Sequence, residues 1–126
     1  MNRVLIIGGG DLAKQINHHL SYHPGISVIG FVDDTIGVDE VMFNQRCIGA
    51  LSDIPKLFAN KIFDQLICGI GYKHLNFRKK LLESLNSYPF YSFIHNSAII
   101  DQSVRIGKGV FISPGVILEQ NVVIGN

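Results

Sequence analysis

The chain has no surplus of charge of either sign. Eleven Lys and Arg stand against ten Asp and Glu, a formal net charge of +1. A nucleic-acid binder carries a basic stripe, and an anionic-membrane binder a basic patch; this chain offers neither footprint. Cysteine is scarce. Cys47 and Cys68 are the only two and do not form a Cys-x-x-Cys pair. They read as reduced thiols of a cytoplasmic protein, and no metal site is assigned. Long apolar runs are also missing. Val4–Ile7 is too short for a signal peptide, and nothing in the chain is long enough for a membrane span.

What is present is a repeat, and repeats outrank other sequence signals. From Ile94 to Asn126 the chain reads in sixes. Position one is always aliphatic: Ile94, Ile100, Ile106, Ile112, Leu118, Ile124. Position five is small or β-branched: Ala98, Val104, Val110, Val116, Val122. Position four holds Ser97, Ser103, Gly109, Gly115 and Asn121, residue types that tolerate turns and left-handed backbone. Each hexad therefore predicts one short strand and one turn, with position one directed to the axis of a solenoid. Position six is Ile99, Arg105, Phe111, Ile117 and Val123. These should face outward, and four of the five are apolar, which predicts self-association. The run ends in mid-hexad with no capping helix, as a cut chain would. The end at Ile124–Asn126 should be frayed or pair with another chain.

The N-terminal half has a different period. Val4–Ile7 predicts a strand buried on both faces of a parallel sheet. Gly8-Gly9-Gly10-Asp11-Leu12-Ala13 follows, a G-x-G-x-x-A turn. A helix should come next with Leu12, Ala13, Ile16 and Leu20 on one stripe, broken at Pro24-Gly25. Ser27–Val32 predicts a second strand ending in Asp33-Asp34. Glycine lets the turn approach a ligand closely, and a following helix N-terminus favours phosphate. A carboxylate after the second strand can accept hydrogen bonds from ribose or base. Asp11 opposes a simple phosphate site, because it sets a carboxylate inside the anion-binding turn.

Thr35–Arg46 reads as a polar loop. Ser52 is expected to cap a helix over Asp53–Asn60, with Pro55 in its first turn. Asp64–Cys68 predicts a third strand, closing in Gly69-Ile70-Gly71 at the carboxyl edge of the sheet. A helix from about His74 to Asn86 should carry Phe77, Leu81, Leu82 and Leu85 on one face. Arg78-Lys79-Lys80 reads as a solvated face, and His18, His19 and His23 as surface residues. The fold expected is α/β: a small Rossmann-like parallel sheet over residues 1–92, then the start of a parallel β-helix over residues 93–126.

This order of elements resembles the bacterial sugar acetyltransferases of the sialic acid O-acetyltransferase and UDP-amino-sugar N-acetyltransferase type. The resemblance is carried by Ile6-Ile7-Gly8-Gly9-Gly10, Gly30-Phe31-Val32-Asp33-Asp34, Gly69-Ile70-Gly71 and Phe93-Ile94-His95-Asn96-Ser97-Ala98, with the hexads behind them. It implies a left-handed β-helix in which three hexads close one coil, and a homo-oligomer, a trimer in the intact protein. It implies acetyl-CoA as donor for the intact enzyme, with none expected on this chain alone. The implied acceptor is a UDP-sugar or similar nucleotide-sugar. By the resemblance its contacts come from Gly8, Gly9, Gly10, Asp11, Leu12, Asp33, Asp34, Gly69, Ile70 and Gly71. The family often has Gly-His or Gly-Phe where this chain has Asp11-Leu12. The family's catalytic histidine belongs to a later coil, so no catalytic residue is assigned, and His95 is read as a junction residue. Two other readings stay open: a non-catalytic nucleotide-binding module oligomerised by its hexads, and an NAD-dependent enzyme.

Overall fold

The computed structural model describes residues 1–71, 74–107, 109–112, 115–118 and 123–124. Contacts divide the chain into two units, Met1–Pro89 and Phe90–Asn126.

The first unit is a mixed α/β layer structure. Its strands are β1 (Asn2–Ile7), β2 (Ile26–Val32), β3 (Val41–Met42), β4 (Gln45–Gly49) and β5 (Gln65–Cys68), and its helices are α1 (Asp11–Leu20), α2 (Ile54–Ala59) and α3 (Leu75–Ser84). The sheet order is β3-β4-β2-β1-β5. β1 lies parallel to both β2 and β5, and β2 runs parallel to β4. The unbroken aliphatic run of β1 follows from this central place. Val4, Leu5, Ile6 and Ile7 are all 0% exposed, and each such side chain contributes about 1.5–3 kcal/mol by leaving water. Ala13, Ile16 and Leu20 form the buried stripe of α1. Leu12 is only half-buried.

Three expectations change here. The stretch read as a loop contains a hairpin, β3 antiparallel to β4, before β4 joins the sheet. Its turn uses Phe43 and Asn44 at φ 40° and 61°, left-handed backbone without the glycine that normally announces it. Ser52 does not cap α2. A 3-10 turn over Leu51–Asp53 comes first, and the Asp53 carboxylate takes the N–H of Ala50 at 2.8 Å. Pro55 does stand in the first turn of α2. On α3, Leu81 and Leu82 are half-buried and Leu85 just beyond is buried, but Phe77 is 50% exposed.

The second unit contains six two-residue strands: β6 (Phe93–Ile94), β7 (Ile99–Ile100), β8 (Arg105–Ile106), β9 (Phe111–Ile112), β10 (Ile117–Leu118) and β11 (Val123–Ile124). Each pairs in parallel with the strand three places on: β6 with β9, β7 with β10, β8 with β11. Side-chain bonds cross the same step, with the N–H groups of Val110 and Gly115 donating to Ser92 Oγ and Ser97 Oγ, both 18 residues back. One turn of the chain is thus three hexads. Each strand consists of position six followed by position one, so the first points out and the second in. Ile99, Ile117 and Val123 are 63%, 63% and 69% exposed, while Ile112 is 5% exposed. Strand β6 departs from the rule, with Phe93 buried and Ile94 43% exposed.

Position four divides into two kinds of turn. Gly109 and Gly115 take the left-handed conformation, φ +70° and +75°. Ser97 and Ser103 do not. Their N–H groups are taken by a side chain two residues back, His95 Nδ1 at 3.1 Å and Asp101 Oδ2 at 2.9 Å. Those two bonds hold Asx-type turns that need no positive φ. Ile124, expected to fray, is paired with Ile106. Asn121, Val122, Gly125 and Asn126 lie outside the described residues.

Candidate functional site

At the carboxyl ends of β1, β2 and β5 the first unit holds a cavity of about 360 Å³ lined by Gly8, Asp33, Asp34, Thr35, Leu51, Ile70, His74 and Phe77. Crevices at this edge of a parallel sheet are where α/β proteins bind ligands. A larger, open hollow of about 910 Å³ lies on the hexad unit against Ile99, Ile117 and Asp101. There the Asp101 carboxylate is taken up by the N–H and hydroxyl of Ser103 at 2.9 and 2.6 Å, which holds it below its usual range despite some loss of solvent. The first cavity is the better site, because fixed polar groups from separate segments converge on it.

Its floor is the glycine turn. Gly8 sits at φ +96°, and its N–H donates to Val32 O at 2.7 Å. Gly9 has no room for a side chain: a Cβ there would lie 2.6 Å from both Ile36 and Phe31. Its N–H donates to Asp33 Oδ2 at 2.9 Å. The other oxygen of Asp33 accepts the N–H and the hydroxyl of Thr35 at 2.7 and 2.8 Å. Loss of solvent raises the Asp33 pKa, but bonds from Thr35, Gly9 and the Ile36 N–H outweigh it, and the carboxyl lies below its usual range. Asp33 therefore clamps the turn after β1 to the end of β2. Asp34 uses Oδ1 to accept the N–H of Leu51 at 2.8 Å, which ties the end of β2 to the 3-10 turn. A carboxylate has about four lone-pair sites; four donors occupy those of Asp33, whereas Asp34 keeps acceptor capacity for ligand hydroxyls.

The residues expected at the site separate into three groups. Gly8, Asp33, Asp34 and Ile70 line the cavity. Gly9 and Gly69 serve packing instead. A Cβ on Gly69 would stand 2.9 Å from both Ala13 and the Ile7 carbonyl, so this glycine lets α1 and β5 close on β1. Gly10, Asp11, Leu12 and Gly71 are not among the lining residues. Thr35, Leu51, His74 and Phe77 were not anticipated. Thr35 and Leu51 follow closely on the carboxyl ends of β2 and β4, while His74 precedes α3 and Phe77 stands in its first turn, after β5. Arg78 donates Nε to the Ile70 carbonyl at 3.1 Å, fixing the loop between β5 and α3. In the hexads, His95 Nδ1 lies 2.8 Å from Ser97 Oγ and belongs to a turn. Both cysteines are free and buried. Among the described residues no group of three or more His, Cys, Asp or Glu could hold a metal ion, and no helix is long and apolar enough to cross a membrane.

A parallel α/β unit followed by coils of three hexads is an architecture of acetyltransferases, among them a sugar N-acetyltransferase, and the resemblance read from the sequence extends to the structure. The particular relatives are these. A perosamine N-acetyltransferase variant from Caulobacter crescentus, solved with CoA and GDP-perosamine, is 29% identical, with a TM-score of 0.83. PerB from the same organism, also solved with CoA and GDP-perosamine, is 30% identical, with a TM-score of 0.81. Both matches cover 100% of this chain and 58% of the other, so the chain spans less than two thirds of their length. The acetyltransferase domain of PglB from Neisseria gonorrhoeae shares the fold at 19% identity and a TM-score of 0.65, over 100% of this chain and 66% of that one. No family model matches the chain, and no curated protein matches it.

Proposed function

We propose that the first unit is a Rossmann-like acceptor domain that holds a nucleotide-linked amino sugar. The whole protein, in this reading, transfers an acetyl group to that sugar from acetyl-CoA. The hexads form a left-handed β-helix whose outward Ile99, Ile117 and Val123 serve assembly, a trimer in the intact protein. The observation that carries the reading is the cavity over the Asp33-clamped glycine turn. It combines the Asp34 carboxylate, an acceptor suited to ribose or sugar hydroxyls, with an apolar wall of Leu51, Ile70 and Phe77 suited to a base. The relatives solved with GDP-perosamine support a nucleotide-sugar and bring guanosine into consideration beside the uridine expected from sequence.

CoA carries phosphates and calls for cations. Among the described residues of the second unit, Arg105 is the only Lys or Arg. Those residues do not by themselves fit a CoA phosphate site, and the donor belongs to the proposal for the whole protein. No described residue is assigned as the base, since His95 is tied to Ser97. The two buried free cysteines accord with a reducing, cytoplasmic setting.

Calorimetry with GDP- and UDP-linked sugars and with NAD tests the acceptor reading. A nucleotide-sugar should bind and NAD should not. NAD binding with no response to either nucleotide-sugar would overturn it in favour of the dinucleotide reading.

A further inference from the structure

The cavity poses a problem of charge. Asp33 and Asp34 both line it, and the Asp33 carboxyl is held ionised by its donors. A nucleoside diphosphate sugar would bring two more negative charges into the same space, and like charges at short range repel by several kcal/mol when partly shielded from water. In glycine-turn units the phosphate normally sits on the turn and the helix behind it. Here Asp11 occupies the first turn of α1, and neither Gly10, Asp11 nor Leu12 lines the cavity.

One lining side chain answers the problem. Among the described residues around the cavity, His74 alone can become a cation. Among the described residues, the charged groups that line the cavity with it are Asp33 and Asp34, just past the end of β2. The turn after β1 contributes Gly8, the 3-10 turn Leu51, and its own segment Ile70 and Phe77, all uncharged. Arg78, further along α3, gives Nε to the Ile70 carbonyl. His74 makes no side-chain cap bond to α3, so the helix does not require the imidazole.

Resting on the acceptor reading above, we infer that His74 is the diphosphate-binding residue of this cavity, its ring N–H donating to the phosphate oxygens. The phosphate site is thereby moved from the glycine turn to the segment between β5 and α3.

The test uses the full chain with GDP-mannose and UDP-glucose, whose diphosphates are diesters and do not titrate between pH 6 and 8. Guanosine and uridine serve as phosphate-free controls. His74→Ala should weaken binding of the nucleotide-sugar roughly tenfold, leaving the matching nucleoside unaffected. His74→Lys should retain affinity. Unchanged affinity in His74→Ala, or an equal loss for the nucleoside, overturns the inference. If wild type binds neither nucleotide-sugar, the acceptor reading itself has failed.

Discussion

The two units of this chain bury their apolar residues in different ways. In the first, β1 is covered on every side, and Phe31, Phe63, Ile54 and Leu66 are all within 2% of full burial. In the second, Phe93, Val110 and Ile112 are the only buried apolar side chains among the described residues, and the outward positions stay more than 60% exposed at Ile99, Ile117 and Val123. The difference follows from geometry. A sheet with helices encloses its own core, whereas a solenoid coil has two open ends and covers its residues only by stacking. The first unit can therefore carry a fixed cavity by itself.

Substitutions that delete core volume separate the units most strongly. Phe31→Ala removes a ring that is 0% exposed and should cost about 3–5 kcal/mol in urea unfolding. Ile117→Ala, at a position 63% exposed, should change the same measurement by less than about 0.5 kcal/mol. A large loss from Ile117→Ala would mean that the hexads share the stability of the α/β unit.

Within the glycine turn the contrast is between neighbours. Gly9→Ala drives a Cβ to 2.6 Å from Phe31 and Ile36 and should cost about 1–3 kcal/mol, with loss of nucleotide-sugar affinity. Gly10→Ala meets nothing within 4 Å and should stay within about 1 kcal/mol by thermal melting. Equal effects would break the distinction between a glycine kept for packing and one that faces open space.

Ile117→Lys charges the outward stripe of the hexads. It should weaken self-association in sedimentation while leaving the melting of the first unit in place. A chain that is monomeric before the substitution, with its coils ordered, contradicts the assembly reading.

The smallest effect expected is the acid response of the Arg3–Asp64 pair. Both side chains are about two-fifths exposed, with Nη2–Oδ1 at 3.0 Å. The bonds from Arg3 lower the Asp64 pKa from 3.8 to about 2. A depressed carboxylate stabilises the fold above its unfolded value and loses that contribution as pH falls toward the folded one. Asp64→Asn should accordingly flatten the decline in stability between about pH 4 and pH 2 and lower stability at pH 7 by the same small amount, the pair being screened by solvent. Asp33 has the same sign, its pKa also being lowered.

The hexads were legible because a period of six decides by itself which side chain faces in. Ile112 and Val110 are buried and Ile117 exposed as that period requires. β1, α1 and β5 were legible for a related reason, since their apolar runs have the length and spacing of single elements. The β3–β4 hairpin was not, because Phe43-Asn44 turns the chain with no glycine or proline to mark it. The start of α2 was not legible either, because a 3-10 turn over Leu51–Asp53 precedes it and Asp53 turns back to the Ala50 N–H, leaving α2 with no side-chain cap. The site was half legible. Gly8, Asp33, Asp34 and Ile70 each stand just past a strand that the sequence marks, but Thr35, Leu51, His74 and Phe77 meet only when separate loops converge at one sheet edge. No local pattern records that convergence.

The central claim is that the α/β unit alone supplies the nucleotide-sugar site. Hydrogen exchange of backbone amides, with and without saturating GDP-mannose or UDP-glucose, tests it directly. Binding should slow exchange in segments 8–10, 33–36, 50–52 and 69–71, and leave 93–107 unchanged. Slowing confined to the hexads, or measured binding with no change in the first unit, would contradict it.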